Sequence, residues 1–275
     1  MSHLQSVGWK GERPDAPVFP FNVPAISSLD SMDVSSTVTF FVGENGSGKS
    51  TLLEGIAAAA ALPTVGAGET ASDETLAAQR TLAGALRLSW KKRTRRGFFL
   101  RAEDFFGFQK RLVEQQRELR GRLAEVDATY HDRSDHARGL AKGPAAGQLH
   151  DIARRYGENP DARSHGQAFL ELFQNRFVPG GLYLLDEPEA ALSPQSQLGF
   201  LAMLLDMITR DAQFIIATHS PMILAFPRAT IYSFDNAPVR SVPYEELDHV
   251  RLTRDFLNHP ERFLRELGAS QGQGS

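Results

Sequence analysis

The chain has 275 residues, of which 41% are hydrophobic, and a formal net charge of −3. This composition can bury a sizeable core in one large domain or two small ones, and the small net charge gives no general attraction for nucleic acid. The chain contains no cysteine, which excludes disulfides and cysteine-bound zinc. Its apolar runs are shorter than the roughly 20 residues that span a bilayer, so we expect no membrane segment and a cytoplasmic location.

The first predicted elements surround a glycine-rich turn. Residues 1–35 are rich in proline and predict an irregular segment that could include a short strand. Residues 37–42 (TVTFFV) predict a strand because they are β-branched and aromatic. After the turn at residues 43–48, residues 49–62 predict a helix from their propensities, and residues 63–72 predict a loop.

The middle of the chain is more polar. Residues 86–90 and 98–102 are short strand candidates on either side of a basic turn, which predicts a hairpin. Residues 105–130 predict a helix because apolar residues recur there at a spacing close to 3.6. Residues 131–147 are polar and glycine-rich and predict a mobile connection, and residues 145–156 predict a further helix.

The last part of the chain alternates short apolar strands with helices. Strands are predicted at residues 182–185, 214–217 and 231–234, and helices at residues 167–177 and 195–210. Because strands that alternate with helices pair in parallel, we predict an α/β fold with a mainly parallel sheet covered on both faces.

The strongest motif is the turn at residues 43–50 (GENGSGKS). It matches the P-loop pattern G-x-x-x-x-G-K-[ST] and lies between a predicted strand and a predicted helix, which is the context that the motif requires. Its backbone N–H groups and the helix N-terminus favour a phosphate, Lys49 would reach the β- and γ-phosphates of ATP, and Ser50 would bind Mg²⁺. The predicted nucleotide-binding residues are Asn45, Gly46, Ser47, Gly48, Lys49, Ser50 and Thr51.

Three further motifs lie at the ends of predicted core elements. The strand at 182–185 ends in Asp186 and Glu187, which could hold Mg²⁺ through water and activate an attacking water, or could be solvated carboxylates. His219 follows the strand at 214–217, where a sheet of this class binds ligands, although a lone histidine is more often structural. Ser164, Gly166 and the following helix N-terminus, beginning near Gln167, form an anion-binding cradle.

In this order, the motifs resemble those of ABC-type P-loop ATPases. The stretches DEPEAALSP and ATHSP are more similar to the RecF, overcoming-lysogenisation-defect and structural-maintenance-of-chromosomes groups than to transporter subunits, and above all to small stand-alone bacterial ATPases that carry an AAA label. The resemblance implies a homodimer around two ATP molecules. Ser164 and Gly166 of one chain would then bind the γ-phosphate held by the other, with Lys49, Glu187 and His219 as catalytic residues.

The pattern of predicted elements divides the chain. Residues 1–102 and 166–267 would form the two parts of a three-layer nucleotide-binding domain, residues 103–165 a small inserted helical lobe, and residues 268–275 a disordered tail. The lobe is too short for a long coiled-coil arm.

Some family positions are ambiguous. Glu103 or Gln109 would fill the Q-loop position, and Glu103 could serve Mg²⁺ through water or be a surface acid. Phe19 or Phe21 could stack on adenine or could pack in the core. Residues 164–167 (SHGQ) correspond to the signature motif of this class, and they have His165 where transporters have glycine.

The basic residues between 91 and 96 admit two interpretations. Lys91, Lys92, Arg93, Arg95 and Arg96 could hold DNA phosphates or could form a solvated turn. Three functions therefore remain open: an ATPase that acts on DNA or in defence, an ATP-gated protein-interaction switch with slow hydrolysis, and a transporter energiser, which the absence of membrane segments disfavours.

Overall fold

The computed structural model describes residues 2–13, 17–65, 75–156 and 165–268. The strands in these ranges are β1 (Leu4–Trp9), β2 (Ser31–Asp33), β3 (Val38–Val42), β4 (Thr64–Val65), β5 (Leu86–Trp90), β6 (Gly97–Arg101), β7 (Leu182–Asp186), β8 (Gln213–Ala217), β9 (Thr230–Ser233) and β10 (Arg240–Ser241). The helices are α1 (Pro24–Ser27), α2 (Lys49–Ala59), α3 (Thr75–Ala85), α4 (Ala102–Thr129), α5 (Asp135–Tyr156), α6 (His165–Arg176), α7 (Pro194–Thr209), α8 (Pro221–Leu224), α9 (Asp248–Asn258) and α10 (Pro260–Glu266).

Seven of the described strands form a main sheet in the order β10-β9-β3-β8-β7-β6-β4. All neighbouring pairs are parallel except β9 and β10, which are antiparallel. The mainly parallel α/β sheet predicted from the sequence is thus confirmed. Because β3, β7 and β8 lie side by side, the three predicted motifs that follow them emerge at one edge of the sheet.

The main sheet is buried on both faces. Successive residues of a strand point to opposite sides, and Phe40 and Leu185 accordingly belong to one apolar cluster while Phe41 and Leu184 belong to the other. The first cluster includes residues of α6 and α7, and the second includes residues of α2 and of the N-terminal strands. This two-sided burial explains why these strands are continuous apolar runs without alternation.

The N-terminal segment is more regular than its prolines suggest. The strands β2, β1 and β5 form a small antiparallel sheet, and residues 24–27 are helical. The buried amide of Gln213 on β8 attaches this sheet to the main one: its Oε1 accepts from the N–H groups of His3 and Leu4, each at 2.8 Å, and its Nε2 donates to the carbonyls of Leu4 and Val34. The expectation of an irregular segment was therefore wrong, because pairing between residues that are far apart in the sequence stabilises these strands.

The predicted hairpin is also wrong. Strand β5 pairs antiparallel with β1 in the small sheet, whereas β6 pairs parallel with β7 in the main sheet. The difference follows from burial, since Phe98, Phe99 and Leu100 are all buried and suit a central strand, while β5 is buried mainly at Leu86. Residues 91–96 are therefore a linker between two sheets, and Lys91 N–H donates to the carbonyl of His3 at 2.8 Å.

The region between the two halves is a pair of long helices. Helix α4 covers the predicted helix, but residues 135–156 are helical too, so the mobile connection predicted for 131–147 was wrong over most of its length. Leu112, Leu119 and Ile152 are buried between α4 and α5. This packing outweighs the low helix propensity of the glycines in α5. In the ranges that the structure describes, no helix combines the length and apolarity needed to cross a membrane.

Candidate functional site

The P-loop has the backbone conformation that a phosphate cradle requires. Gly43, Gly46 and Gly48 have φ values of 144°, 82° and 103°, which favour glycine. Gly48 is also packed closely, since a Cβ there would lie 2.7 Å from Val23 Cγ1. The loop leads directly into α2, whose N-terminal N–H groups and dipole favour an anion.

Lys49 is buried beneath this loop. Its side chain is 4% exposed, and Nζ donates to the carbonyls of Gly43 at 2.5 Å and Glu44 at 2.9 Å. Burial lowers the pKa of Lys49, and the nearby carboxylates, led by Glu187 and Asp186, act in the opposite direction. Two backbone carbonyls therefore hold the ammonium group at the loop.

Ser50 and Asp186 meet at the end of β7. Ser50 Oγ donates to Asp186 Oδ1 at 3.0 Å, and Asp186 is 3% exposed. Burial raises the pKa of Asp186, whereas the Ser50 hydrogen bond and the Arg101 charge lower it. A hydroxyl and a carboxylate oxygen at this separation are the donors that Mg²⁺ prefers, so this pair fits a magnesium site.

Arg101 joins this pair to the P-loop helix. Its Nε lies 3.5 Å from Asp186 Oδ2, and its guanidinium forms an ion pair with Glu54 of α2. The contact with Asp186 arises from the sheet register, which places Arg101 of β6 directly beside Asp186 of β7. Sequence reasoning missed Arg101 because no local pattern reveals the register of two parallel strands.

Glu187 and His219 face each other at the ends of neighbouring strands. Glu187 Oε1 lies 3.7 Å from His219 Nε2, and the side chains are 41% and 39% exposed, respectively. Glu187 N–H donates to the carbonyl of Ala217 at 2.9 Å, and Glu187 itself adopts a left-handed conformation with φ 50°. Such a conformation is costly for a residue other than glycine and occurs often at functional sites.

Glu189 fixes the backbone at His219. Its Oε1 accepts from the His219 N–H at 2.6 Å. Burial raises the pKa of Glu189, and this hydrogen bond lowers it. Burial also lowers the pKa of His219, and the charge of Lys49 contributes in the same direction. Glu189 was not singled out from the sequence, although its position in the Glu-Pro-Glu stretch is a signal that could have found it.

Glu187 and His219 line an open cavity of about 760 Å³. Its walls include the first half of the P-loop, Glu187 and His219, together with Asp235, Arg240 and His249 from the last part of the chain. Within the described residues, the buried atoms Ser47 Oγ and His219 Nε2 have no hydrogen-bond partner. Buried polar atoms are almost always paired, so both fit contacts with a ligand at this edge of the sheet.

The predicted signature lies only partly within the described ranges. Ser164 lies outside them, whereas Gly166 is in the first turn of α6 and Gln167 is exposed. A Cβ at Gly166 would lie 3.0 Å from Ser196 Oγ and 3.3 Å from the carbonyl oxygen of Ala191. The signature glycine is therefore beside the segment that follows Asp186 and Glu187.

The remaining candidates differ in their burial. Glu103 is exposed in the first turn of α4, and Gln109 is half-buried on the same helix. Phe21 is 8% exposed and packs against Trp9 with ring centroids 6.3 Å apart, so it is a core residue, whereas Phe19 is 58% exposed. The basic residues at 91–93, 95 and 96 are all exposed.

The comparisons with known proteins agree with these motifs. Residues 174–225, which include the Asp-Glu and histidine motifs, match the family described as "AAA domain, putative AbiEii toxin, Type IV TA system". No curated protein gives a significant match to the chain.

The solved structures that match the chain include ATP-binding cassettes and an Smc head domain. The ADP conformation of MJ1267, an ATP-binding cassette of an ABC transporter, is 17% identical, with 98% of this chain and 100% of that chain covered and a TM-score of 0.46. CbiO1 from Clostridium perfringens, part of the ABC transporter complex cbiONQ, is 17% identical, with 97% and 100% covered and a TM-score of 0.43. The Smc head domain from Pyrococcus furiosus is 12% identical, with 94% and 100% covered and a TM-score of 0.42.

The P-loop, the Asp-Glu pair and the histidine follow adjacent parallel strands, and Gly43, Glu187 and His219 line one cavity. The family match over residues 174–225 covers the last two of these motifs. In its fold and in the order of its motifs, the chain is similar to P-loop ATPases of the ABC type.

Proposed function

We propose that the chain binds ATP and hydrolyses it to ADP and phosphate with Mg²⁺. The observation that carries this proposal is the convergence of Lys49, Ser50, Asp186, Glu187 and His219 at the ends of three adjacent strands. Each of these side chains has a distinct role in phosphoryl transfer to water.

In this proposal, the roles follow from the chemistry of each group. Lys49 binds the β- and γ-phosphates and offsets the charge that develops in the transition state. Ser50 and Asp186 would hold a Mg²⁺, which would neutralise phosphate charge. Glu187 orients and deprotonates the water that attacks the γ-phosphorus in line with the departing ADP oxygen. His219 donates from its otherwise unpartnered Nε2 to a γ-phosphate oxygen.

The proposed active form is a homodimer around two ATP molecules. The exposure of Glu187 and His219, 41% and 39%, leaves the attacking water unshielded in a single chain. A second chain that covers this edge would exclude solvent and would supply Ser164, Gly166 and Gln167 to the γ-phosphate. The exposed position of Gln167 near the start of α6 leaves it accessible to a partner.

The Glu187→Gln variant tests both parts of this proposal. We expect the variant to bind Mg²⁺-ATP and to elute as a dimer in sizing chromatography, because ATP is retained when water activation is lost. Wild type should release phosphate continuously, and the variant should do so at least about a hundred times more slowly. Glu118→Gln, at an exposed position of α4, is the matched control and should behave as wild type.

Two outcomes would contradict the proposal in different ways. An E187Q variant that binds ATP but stays monomeric would refute the composite dimer site and leave a single-chain ATPase. Unchanged phosphate release by the variant would refute the role of Glu187 in hydrolysis.

A second candidate function is ATP-dependent work on DNA or in defence. It is favoured by the five exposed basic side chains between residues 91 and 96, and the description of the matching family as a putative toxin is compatible with it. If this function is correct, double-stranded DNA should stimulate phosphate release, and the stimulation should weaken steeply between 50 and 200 mM salt, a range in which phosphate contacts are lost. ATPase activity that is indifferent to DNA would instead favour an ATP-gated interaction switch.

A further inference from the structure

A second histidine reaches the nucleotide cavity from the last part of the chain. His249 lies in the first turn of α9 and lines the cavity together with Gly43, Asn45, Glu187 and His219. Lys49 Nζ donates to the carbonyls of Gly43 and Glu44, which also line this cavity, so the terminal phosphate of a bound nucleotide would lie near this wall.

The imidazole of His249 has an unused hydrogen-bonding atom. Its Nε2 is excluded from solvent and has no hydrogen-bond partner in the described ranges. His219 Nε2, which follows the end of β8, is also buried and has no hydrogen-bond partner in the described ranges. Buried polar atoms are seldom left unpaired, so two unpaired imidazole nitrogens at one cavity indicate a ligand that accepts hydrogen bonds from both.

The surroundings of His249 favour a neutral imidazole. The cavity wall also carries Arg240 and the carboxylates of Glu44, Glu187, Asp235, Glu246 and Asp248. Burial lowers the pKa of His249, and the proximity of His219 lowers it further, against the weaker effects of Asp235 and Asp248. The Asp248 side chain is fully exposed, and its Oδ1 lies 3.9 Å from Arg251 Nη1. No group of three His, Asp or Glu residues suited to a metal occurs in the part of the chain that the structure describes. The N-terminus of α9 also adds a partial positive charge at this wall.

We propose that His249 is a second phosphate-contacting histidine, whose Nε2–H donates to the terminal phosphate of a bound nucleoside triphosphate. This inference rests on the proposed function, because it assumes that the cavity holds ATP. It adds a contact from α9 that the family motifs do not include, and it makes the position of α9 depend on whether the γ-phosphate is present.

The affinities of the full chain for two nucleotides test this proposal. Equilibrium binding of the non-hydrolysable analogue AMP-PNP and of ADP, both with Mg²⁺, would be measured for wild type and for His249→Leu, His249→Gln and Lys49→Ala. His259→Ala is the matched control, since His259 follows the same helix at an exposed position. Thermal unfolding of each variant would establish that it is folded.

A contact with the terminal phosphate predicts a selective loss. H249L should weaken AMP-PNP binding about tenfold or more, as expected for one hydrogen bond to a charged group, and should change ADP binding less than about twofold. H249Q, whose side-chain amide can donate from a similar position, should restore most of the AMP-PNP affinity, and H259A should match wild type.

Other outcomes separate the two proposals. Equal losses of AMP-PNP and ADP affinity in H249L, or no loss at all, would overturn the role of His249 while leaving the proposed function intact, provided that wild type binds AMP-PNP and K49A does not. Failure of wild type to bind either nucleotide would overturn both.

Discussion

Replacing Arg101 with methionine should destabilise the protein, because it leaves two buried carboxylates without their shared cation. The side chain of Arg101 is 31% exposed, whereas the side chains of Asp186 and Glu54 are 4% and 9% exposed. Breaking a buried ion pair by removing one partner costs about 3–5 kcal/mol. Since Arg101 keeps some contact with solvent, we expect a loss of about 2–3 kcal/mol in the free energy of unfolding, which corresponds to a Tm lower by about 4–12 °C.

The pH dependence of the loss gives a sharper signature than its size. Without Arg101, burial should raise the folded-state pKa of Asp186 further above its unfolded value. A carboxyl with a raised folded pKa stabilises the fold fully only below its unfolded pKa of about 4, and that stability is lost as pH rises through the folded pKa. The deficit of R101M relative to wild type should therefore be larger at pH 8 than at pH 5.

The assay is thermal unfolding of wild type, R101M and a control at both pH values. Arg210→Met is the control, because Arg210 pairs with Asp206 at 3.0 Å on the surface, with both side chains more than half exposed, and such pairs contribute at most about 1 kcal/mol. Adding Glu54→Gln to R101M should recover part of the lost stability. A deficit no larger than that of R210M, or one that is the same at pH 5 and pH 8, would refute this account of Arg101.

Two more predictions concern the P-loop and the histidine at the end of β8. Gly48→Ala should lower the free energy of unfolding by about 2–4 kcal/mol because its Cβ meets Val23 in addition to backbone strain. Gly46→Ala, where the Cβ meets open space, should cost only about 1 kcal/mol in urea unfolding, and equal costs would contradict the steric explanation. Because burial and Lys49 lower the pKa of His219 in the free protein, kcat/KM should fall only below the ordinary histidine pKa of about 6.5, and a decline that begins above pH 7 would contradict a neutral His219.

The sequence predicted the parts of the site that depend on short motifs. The strand, turn and helix around residues 43–50 and the strand that ends in Asp186 and Glu187 occupy the expected positions, because each motif is specified by residues within a few positions of one another. The two-sided burial of these strands also made their parallel pairing predictable.

The parts that the sequence did not predict depend on contacts between distant residues. Strand β5 carries the pattern of a hairpin strand. Its partner, however, is β1, which precedes β2, β3 and β4 in the chain. Arg101 is a functional candidate only because of the register between β6 and β7. His249 is part of no recognisable motif in the sequence, and only the tertiary fold brings it to the cavity.

The amide of Gln213 has a consequence for the order in which the protein can fold during synthesis. It completes the backbone hydrogen bonding of Leu4, which is 209 residues earlier. The P-loop strand β3 lies between β8 and β9, and the ribosome makes both of these strands after β3. A growing chain that ends before residue 230 therefore exposes β3 without one of its neighbours, and long-range pairing of this kind forms slowly. The proposed nucleotide site, which combines the P-loop with Asp186 and His219, is therefore complete only after β8 and the residues that follow it have been made.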